Sequence, residues 1–138
     1  MKEDRSDTKR VLFICVGNSS RSQMAEAFFN HLAAAGARGE SAGTEPARSL
    51  DPNAVAVMAE LGIDMSGQRP KPLTQEMVDG ATRRISMGCG VEESCPAWAL
   101  PHEDWNLDDP YHQPIEVVRR IRDEIQAHVE ALIKEFGL

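Results

Sequence analysis

The sequence predicts an α/β domain in which a parallel sheet carries helices on both faces. Val11–Cys15 is a short apolar run with β-branched residues, closed by Gly17 and Asn18, the pattern of a strand buried on both faces. Later stretches place apolar residues at a helical period. Strand-like and helical segments alternate, which implies right-handed βαβ crossovers and a parallel sheet.

Each element has a local reason. Met24, Ala25, Phe28, Phe29, Leu32 and Ala33 form one apolar helical face, and Gly36 is the expected stop. Arg38–Ala42 reads as a short strand ending in the turn Gly43–Thr44. Asp51 is an N-cap with Pro52 at the first helical position; the helix they open runs through Val55, Met58 and Leu61 to Gly62. Gln68–Pro72 reads as a loop, and Thr74 as the cap of another short helix. Ile85–Met87 reads as a strand end, although Thr82–Arg84 before it is unusually polar for a buried strand. Gly88–Pro101 reads as a loop. The last helix is the clearest, with Ile115, Val118, Ile121, Ile125, Val129, Leu132 and Phe136 in period. Ligands bind at the carboxyl ends of parallel strands. The loops Cys15–Ser22, Gly88–Cys95 and Asp108–Pro110 are therefore expected to converge on one edge.

The 138 residues suit one domain: a flexible polar tail over residues 1–9 and a single catalytic domain over residues 10–138. A net charge of −7 and a pI of about 5.1 carry no basic stripe, so no nucleic-acid partner is expected. No apolar run reaches the length of a membrane span, and Met1–Arg10 lacks the apolar centre of a signal peptide. The expected location is the cytoplasm, with no membrane partner. The odd count of 3 cysteines excludes a fully paired disulfide set within one chain.

The chemistry concentrates in Cys15-Val16-Gly17-Asn18-Ser19-Ser20-Arg21-Ser22, between the first strand and the first helix. Successive backbone N–H groups in such a turn form a concave nest, and the helix N-terminus adds its positive end. Val16, Gly17, Asn18, Ser19, Ser20 and Arg21 are thus the expected oxyanion-binding set. Gly17 and Asn18 suit the tight or positive-φ backbone the turn needs. Arg21 can grip two oxygens of a tetrahedral anion bidentately. Cys15 lies at the bottom, where donors that bind an anion also stabilise a thiolate, and Ser22 can donate to its sulfur. The thiolate can then attack the bound anion in line.

The leaving oxygen needs a proton. Asp109 is the candidate acid, because Pro110 restricts it toward extended geometry; Asp108 is the neighbour most easily mistaken for it. Cys89 and Cys95 lie in the Gly-rich run Met-Gly-Cys-Gly-Val-Glu-Glu-Ser-Cys-Pro, which suggests redox work. The competing readings are a zinc site with His102 as a third ligand, which has no evident fourth, and buried unreactive thiols. No metal is expected.

Cys15–Glu26, reading C-V-G-N-S-S-R-S-Q-M-A-E, resembles the phosphate loop of low-molecular-weight protein tyrosine phosphatases, and resembles more closely the thioredoxin-coupled arsenate reductases that share their fold. Ser41-Ala42-Gly43-Thr44, Trp105 with Asp108-Asp109-Pro110, and Arg119–Ile125 also fit, so the resemblance spans Arg10 to the C-terminus. It implies a three-layer fold with a four-stranded parallel sheet flanked by helices, and a general acid at Asp109. It also implies a relay: arsenate forms an adduct on Cys15, Cys89 attacks that sulfur, and Cys95 resolves the disulfide for thioredoxin to reduce, with no other cofactor. Cys89 and Cys95 stand one residue closer than their counterparts in several such reductases, and Ser20 replaces a cysteine common there. Some relatives bind potassium beside the loop. Asn18, Glu26 and Ser41 match three residues of that site, whereas Lys71 falls where an Asp ligand stands; its ammonium is either a built-in substitute for the ion or a solvated loop charge.

The resulting expectation is arsenate reduction with thioredoxin as partner. The alternative is a phosphatase acting on phosphotyrosine or a small phosphate ester through a Cys15 phosphoenzyme, with Tyr111 lining the substrate pocket. A non-catalytic oxyanion-binding redox sensor is the third class.

Overall fold

A computed structural model describes residues 9–33, 36–88 and 103–136. The chain runs β1 (Lys9–Cys15), α1 (Arg21–Leu32), β2 (Ala37–Gly43), α2 (Pro52–Ala59), α3 (Gln75–Gly80), β3 (Arg83–Ser86), β4 (Glu103–Asp104) and α4 (Ile115–Glu135). The four strands form one sheet in the order β2-β1-β3-β4, and every pairing is parallel. The fold expected from the sequence is the fold observed.

β1 is central, and its side chains alternate between two cores. Val11, Phe13 and Cys15 join the larger one with Met24, Phe28 and Phe29 of α1, Val57 and Met58 of α2, and Ile121, Ile125 and Val129 of α4. Leu12 and Ile14 face the other side, where Ala42 and Val78 of α3 complete a thinner layer. Burial of a large apolar side chain contributes about 1.5–3 kcal/mol, so the larger layer, with Phe13, Phe28 and Phe29 fully buried, anchors the edge where β1 ends.

Local signals in the sequence appear where they were expected. The Asp51 carboxylate accepts from the Asn53 N–H at 3.0 Å with Pro52 opening α2, and Thr74 Oγ1 accepts from Met77 N–H at 3.2 Å to cap α3. Other expectations shift. Lys9, assigned to the tail, is the first residue of β1, opposite Ala37. α1 closes at Leu32, ahead of Gly36, because Ala33 already turns extended (ψ 150°). Leu61, expected on the apolar face of α2, lies beyond the helix end and is exposed. β3 spans Arg83–Ser86, and its polar start is accommodated because Arg83 bridges Glu103 and Glu135. Among the described residues no helix is long and apolar enough to cross a membrane.

Candidate functional site

Cys15 closes β1 and Arg21 opens α1, so the intervening residues turn the chain at the carboxyl edge of the sheet. The carbonyls of this turn are tied outward. Thr44, Glu45, Ala47 and Asp51 donate their N–H groups to the carbonyls of Cys15, Val16, Gly17 and Ser19 at 3.2, 2.9, 2.9 and 2.9 Å. A trans peptide holds its C=O and the next N–H on opposite sides. Anchoring the carbonyls outside therefore turns the following N–H groups inward, as the Asn18 N–H shows by donating to Cys15 Sγ at 3.1 Å. Asn18 takes the left-handed backbone at φ 51°; Gly17, expected to share that role, does not. The glycine this turn requires is Gly43 on β2, where a Cβ would stand 2.6 Å from Val16 O and 2.9 Å from Asn18 Cβ.

Asn18 orders the hydrogen bonds beneath the sulfur. Its side chain is fully buried. The Lys71 backbone N–H, which can only donate, meets one amide atom at 2.8 Å and so identifies it as Oδ1. Nδ2 then donates to Ser22 Oγ at 2.8 Å. The same Ser22 Oγ shares a hydrogen bond with Cys15 Sγ, also at 2.8 Å. The Cys15 sulfur thus lies within hydrogen-bond distance of two groups of its own turn, the Ser22 hydroxyl and the Asn18 N–H that donates to it.

Arg21 is buried at the rim. Its Nη1 donates to Met87 O and Leu107 O, each at 3.0 Å, and its Nη2 lies 3.8 Å from Asp109 Oδ1. The ends of β3 and β4 therefore set the guanidinium plane. A cleft of about 410 Å³ opens above the sulfur, lined by residues 15–21, Ala47, Asp109 and Tyr111. Asp109 is exposed to it and accepts the Tyr111 N–H at 3.0 Å. Asp108 turns away to Arg120 of α4, at 3.3 Å. Tyr111 is 70% exposed at the rim, edge-on to His112. Ser20 Oγ is buried with no hydrogen-bond partner among the described residues, a donor available to an anion.

The four residues of the expected cation site come together as well. Ser41 Oγ donates to Glu26 Oε1 at 2.6 Å, and Lys71 Nζ lies 3.5 Å from the same oxygen and 3.2 Å from Arg69 O. Cys89, Cys95 and His102 lie outside the described residues. One contributor escaped the sequence reading: Gln23, whose Nε2 donates to Asn18 Oδ1 at 3.0 Å and Arg69 O at 2.8 Å, bracing the turn from below. Its signal was a polar residue on the first, buried turn of α1.

Residues 10–137 match the family described as low molecular weight phosphotyrosine protein phosphatase. A glutaredoxin arsenate reductase of Synechocystis sp. is 43% identical over 132 residues, covering 94% of this chain and 99% of that protein. A solved arsenate reductase in the phosphate binding state superposes with a TM-score of 0.83 at 42% identity, covering 93% of this chain and 98% of the other. A thioredoxin-dependent arsenate reductase of Corynebacterium glutamicum superposes with a TM-score of 0.80 at 34% identity, covering 97% of this chain and 64% of that one.

Proposed function

The chain belongs to the low molecular weight phosphotyrosine protein phosphatase family, and on that premise we propose that it reduces arsenate to arsenite. The observation that carries this reading is Cys15 Sγ at the floor of an N–H-lined turn, hydrogen-bonded with Ser22 Oγ and the Asn18 N–H, with Arg21 and Asp109 above it. The relatives named arsenate reductase, at 43% and 42% identity over nearly the whole chain, favour arsenate over a phosphate ester.

The Cys15 thiolate attacks arsenic and an oxygen leaves as water, taking its proton from Asp109. Cys89 then attacks the Cys15 sulfur. The S–As bond breaks with its electron pair going to arsenic, so arsenic(V) leaves as arsenite and a Cys15–Cys89 disulfide forms. Cys95 attacks the Cys89 sulfur and frees the Cys15 thiolate. An external dithiol returns two electrons to the Cys89–Cys95 disulfide. Thioredoxin is the reductant in this reading; glutaredoxin is its rival, favoured by the name of the relative at 43% identity. Hydrolysis of a phosphate ester is the second reading, favoured by a further cleft of about 380 Å³ beside the turn, lined by Ser49, Asp51, Tyr111 and His112 among others, which an inorganic oxyanion does not need.

Arsenite release by Cys89→Ser and Cys95→Ser variants tests the scheme. Cys89→Ser is expected to release none. Cys95→Ser is expected to release one arsenite per enzyme and then stall as a Cys15–Cys89 disulfide visible by mass spectrometry. Neither change should much affect phosphate-ester hydrolysis, which needs Cys15, Arg21, Asp109 and water. Continued turnover of Cys95→Ser with thioredoxin alone would eliminate the relay, and parallel assays with each reductant identify the partner.

A further inference from the structure

One carboxylate outside the turn gathers the parts of the site that come from β3 and β4. Asp104 is the last residue of β4 and lies opposite Ser86 in the parallel register. Ser86 is fully buried, and its hydroxyl donates to Asp104 Oδ1 at 2.5 Å. The Gly88 N–H donates to the same oxygen at 2.7 Å, and the Asn106 N–H donates to Oδ2 at 2.8 Å. Donors from two chain segments thus converge on one side chain.

Both segments have backbones that need holding. Gly88 has φ +94°, a backbone that other residues rarely adopt, and a Cβ there would stand 3.0 Å from Leu107 O. Asn106 is left-handed at φ 52°. The result is that Met87 O and Leu107 O stand together, joined by the Leu107 N–H donating to Met87 O at 3.3 Å, and both accept Arg21 Nη1. Leu107 is also two residues before Asp109, and Gly88 directly precedes Cys89.

We propose that Asp104 is a positioning residue: its carboxylate locks the ends of β3 and β4 together and thereby sets the plane in which Arg21 meets an oxyanion. The proposal rests on the reading of Cys15–Ser22 as an oxyanion site. It uses both carboxylate oxygens as acceptors. An asparagine keeps one acceptor, and its NH₂ then faces the donor N–H of either Gly88 or Asn106. Asp104 is itself exposed, so the substitution leaves the core untouched.

The test is calorimetric titration of inorganic phosphate into the wild-type chain, Asp104→Asn and Ser86→Ala, with thermal unfolding of each without phosphate. Misplacement of a binding group by about an ångström costs up to about 10²-fold in such sites. Asp104→Asn is expected to weaken phosphate binding by about tenfold or more and to raise the KM for arsenate in parallel, with little change in Tm. Ser86→Ala, which removes one of the donors, is expected to move affinity the same way by less. A folded Asp104→Asn that binds phosphate as the wild type does overturns the proposal, and so does a lowered Tm with unchanged affinity. If Asp104→Asn does not fold, unchanged affinity in Ser86→Ala overturns it equally. A wild-type chain that binds no phosphate overturns the oxyanion-site reading itself, and this proposal with it.

Discussion

Asn18→Ala is expected to be among the most damaging single substitutions in the chain, because its side chain ties the turn together from beneath. The side chain is fully buried and makes hydrogen bonds at both ends: Oδ1 with the Lys71 N–H and Gln23 Nε2, Nδ2 with Ser22 Oγ. Removing it strips the Lys71 N–H of that acceptor, at about 1–3 kcal/mol for a buried donor left unsatisfied. Gln23 keeps Asn18 O and Arg69 O, so its loss is smaller. The backbone adds a second cost. Asn18 sits at φ 51°, where alanine is disfavoured by about 1–2 kcal/mol. Together these amount to about 2–5 kcal/mol, a substantial part of the roughly 5–15 kcal/mol by which a typical domain is stable. Urea unfolding should report that loss, and Asn18→Gly should recover the backbone share of it. Catalysis should fall further, because Ser22 Oγ, which lies 2.8 Å from Cys15 Sγ, loses the hydrogen bond from Asn18 Nδ2 that holds it in place. An Asn18→Ala protein that loses less than about 1 kcal/mol would show that the buried amide does not organise the turn.

Three further outcomes follow from the geometry. Asp109→Asn is expected to slow adduct formation by about 10²–10⁴ in single-turnover assays, whereas Asp108→Asn, whose carboxylate faces Arg120, should do much less; the reverse order would move the acid to Asp108. Lys71→Ala removes the cation beside Glu26, so the Tm of the variant should depend on potassium against a bulky organic cation at equal ionic strength, and no difference would count against a tethered substitute for the ion. The hydrogen bond from Arg119 above all, with Arg122 beside it, holds the Glu60 carboxyl below its ordinary range. A depressed pKa stabilises the fold above the unfolded value and ceases to do so as pH falls through the folded one. The stability gap between wild type and Glu60→Gln should therefore close in acid, and a gap independent of pH would show that the α2–α4 ion pairs contribute nothing.

The sequence by itself determined most features whose cause is local, although the ends of α1 and α2 fall earlier than Gly36 and Gly62 suggest. A strand ending in cysteine, a turn with asparagine, and a helix opening on arginine can be read from contiguous residues, and so can the Asp51-Pro52 and Thr74 caps and the period of α4, because short-range sterics and helix-end hydrogen bonds act within a few positions. Tertiary structure decided what depends on residues far apart in the chain. β4 has two residues, too few for a period, and exists because Ile85 and Ser86 lie beside it. Arg122 is buried in α4 because Val57 O and Glu60 across the interface accept its protons. Arg83 starts a strand because its charge is met by Glu103 and Glu135, which a composition-based reading counts only as polarity. Pro110 singles out Asp109 in the sequence, and the structure separates the two carboxylates in space: Asp108 faces Arg120, whereas Asp109 lines the cleft. The orientation of Arg21 rests on carbonyls 66 and 86 residues further on. A backbone carbonyl has no side chain to mark it, so a site held by the main chain becomes legible only once the chain has folded.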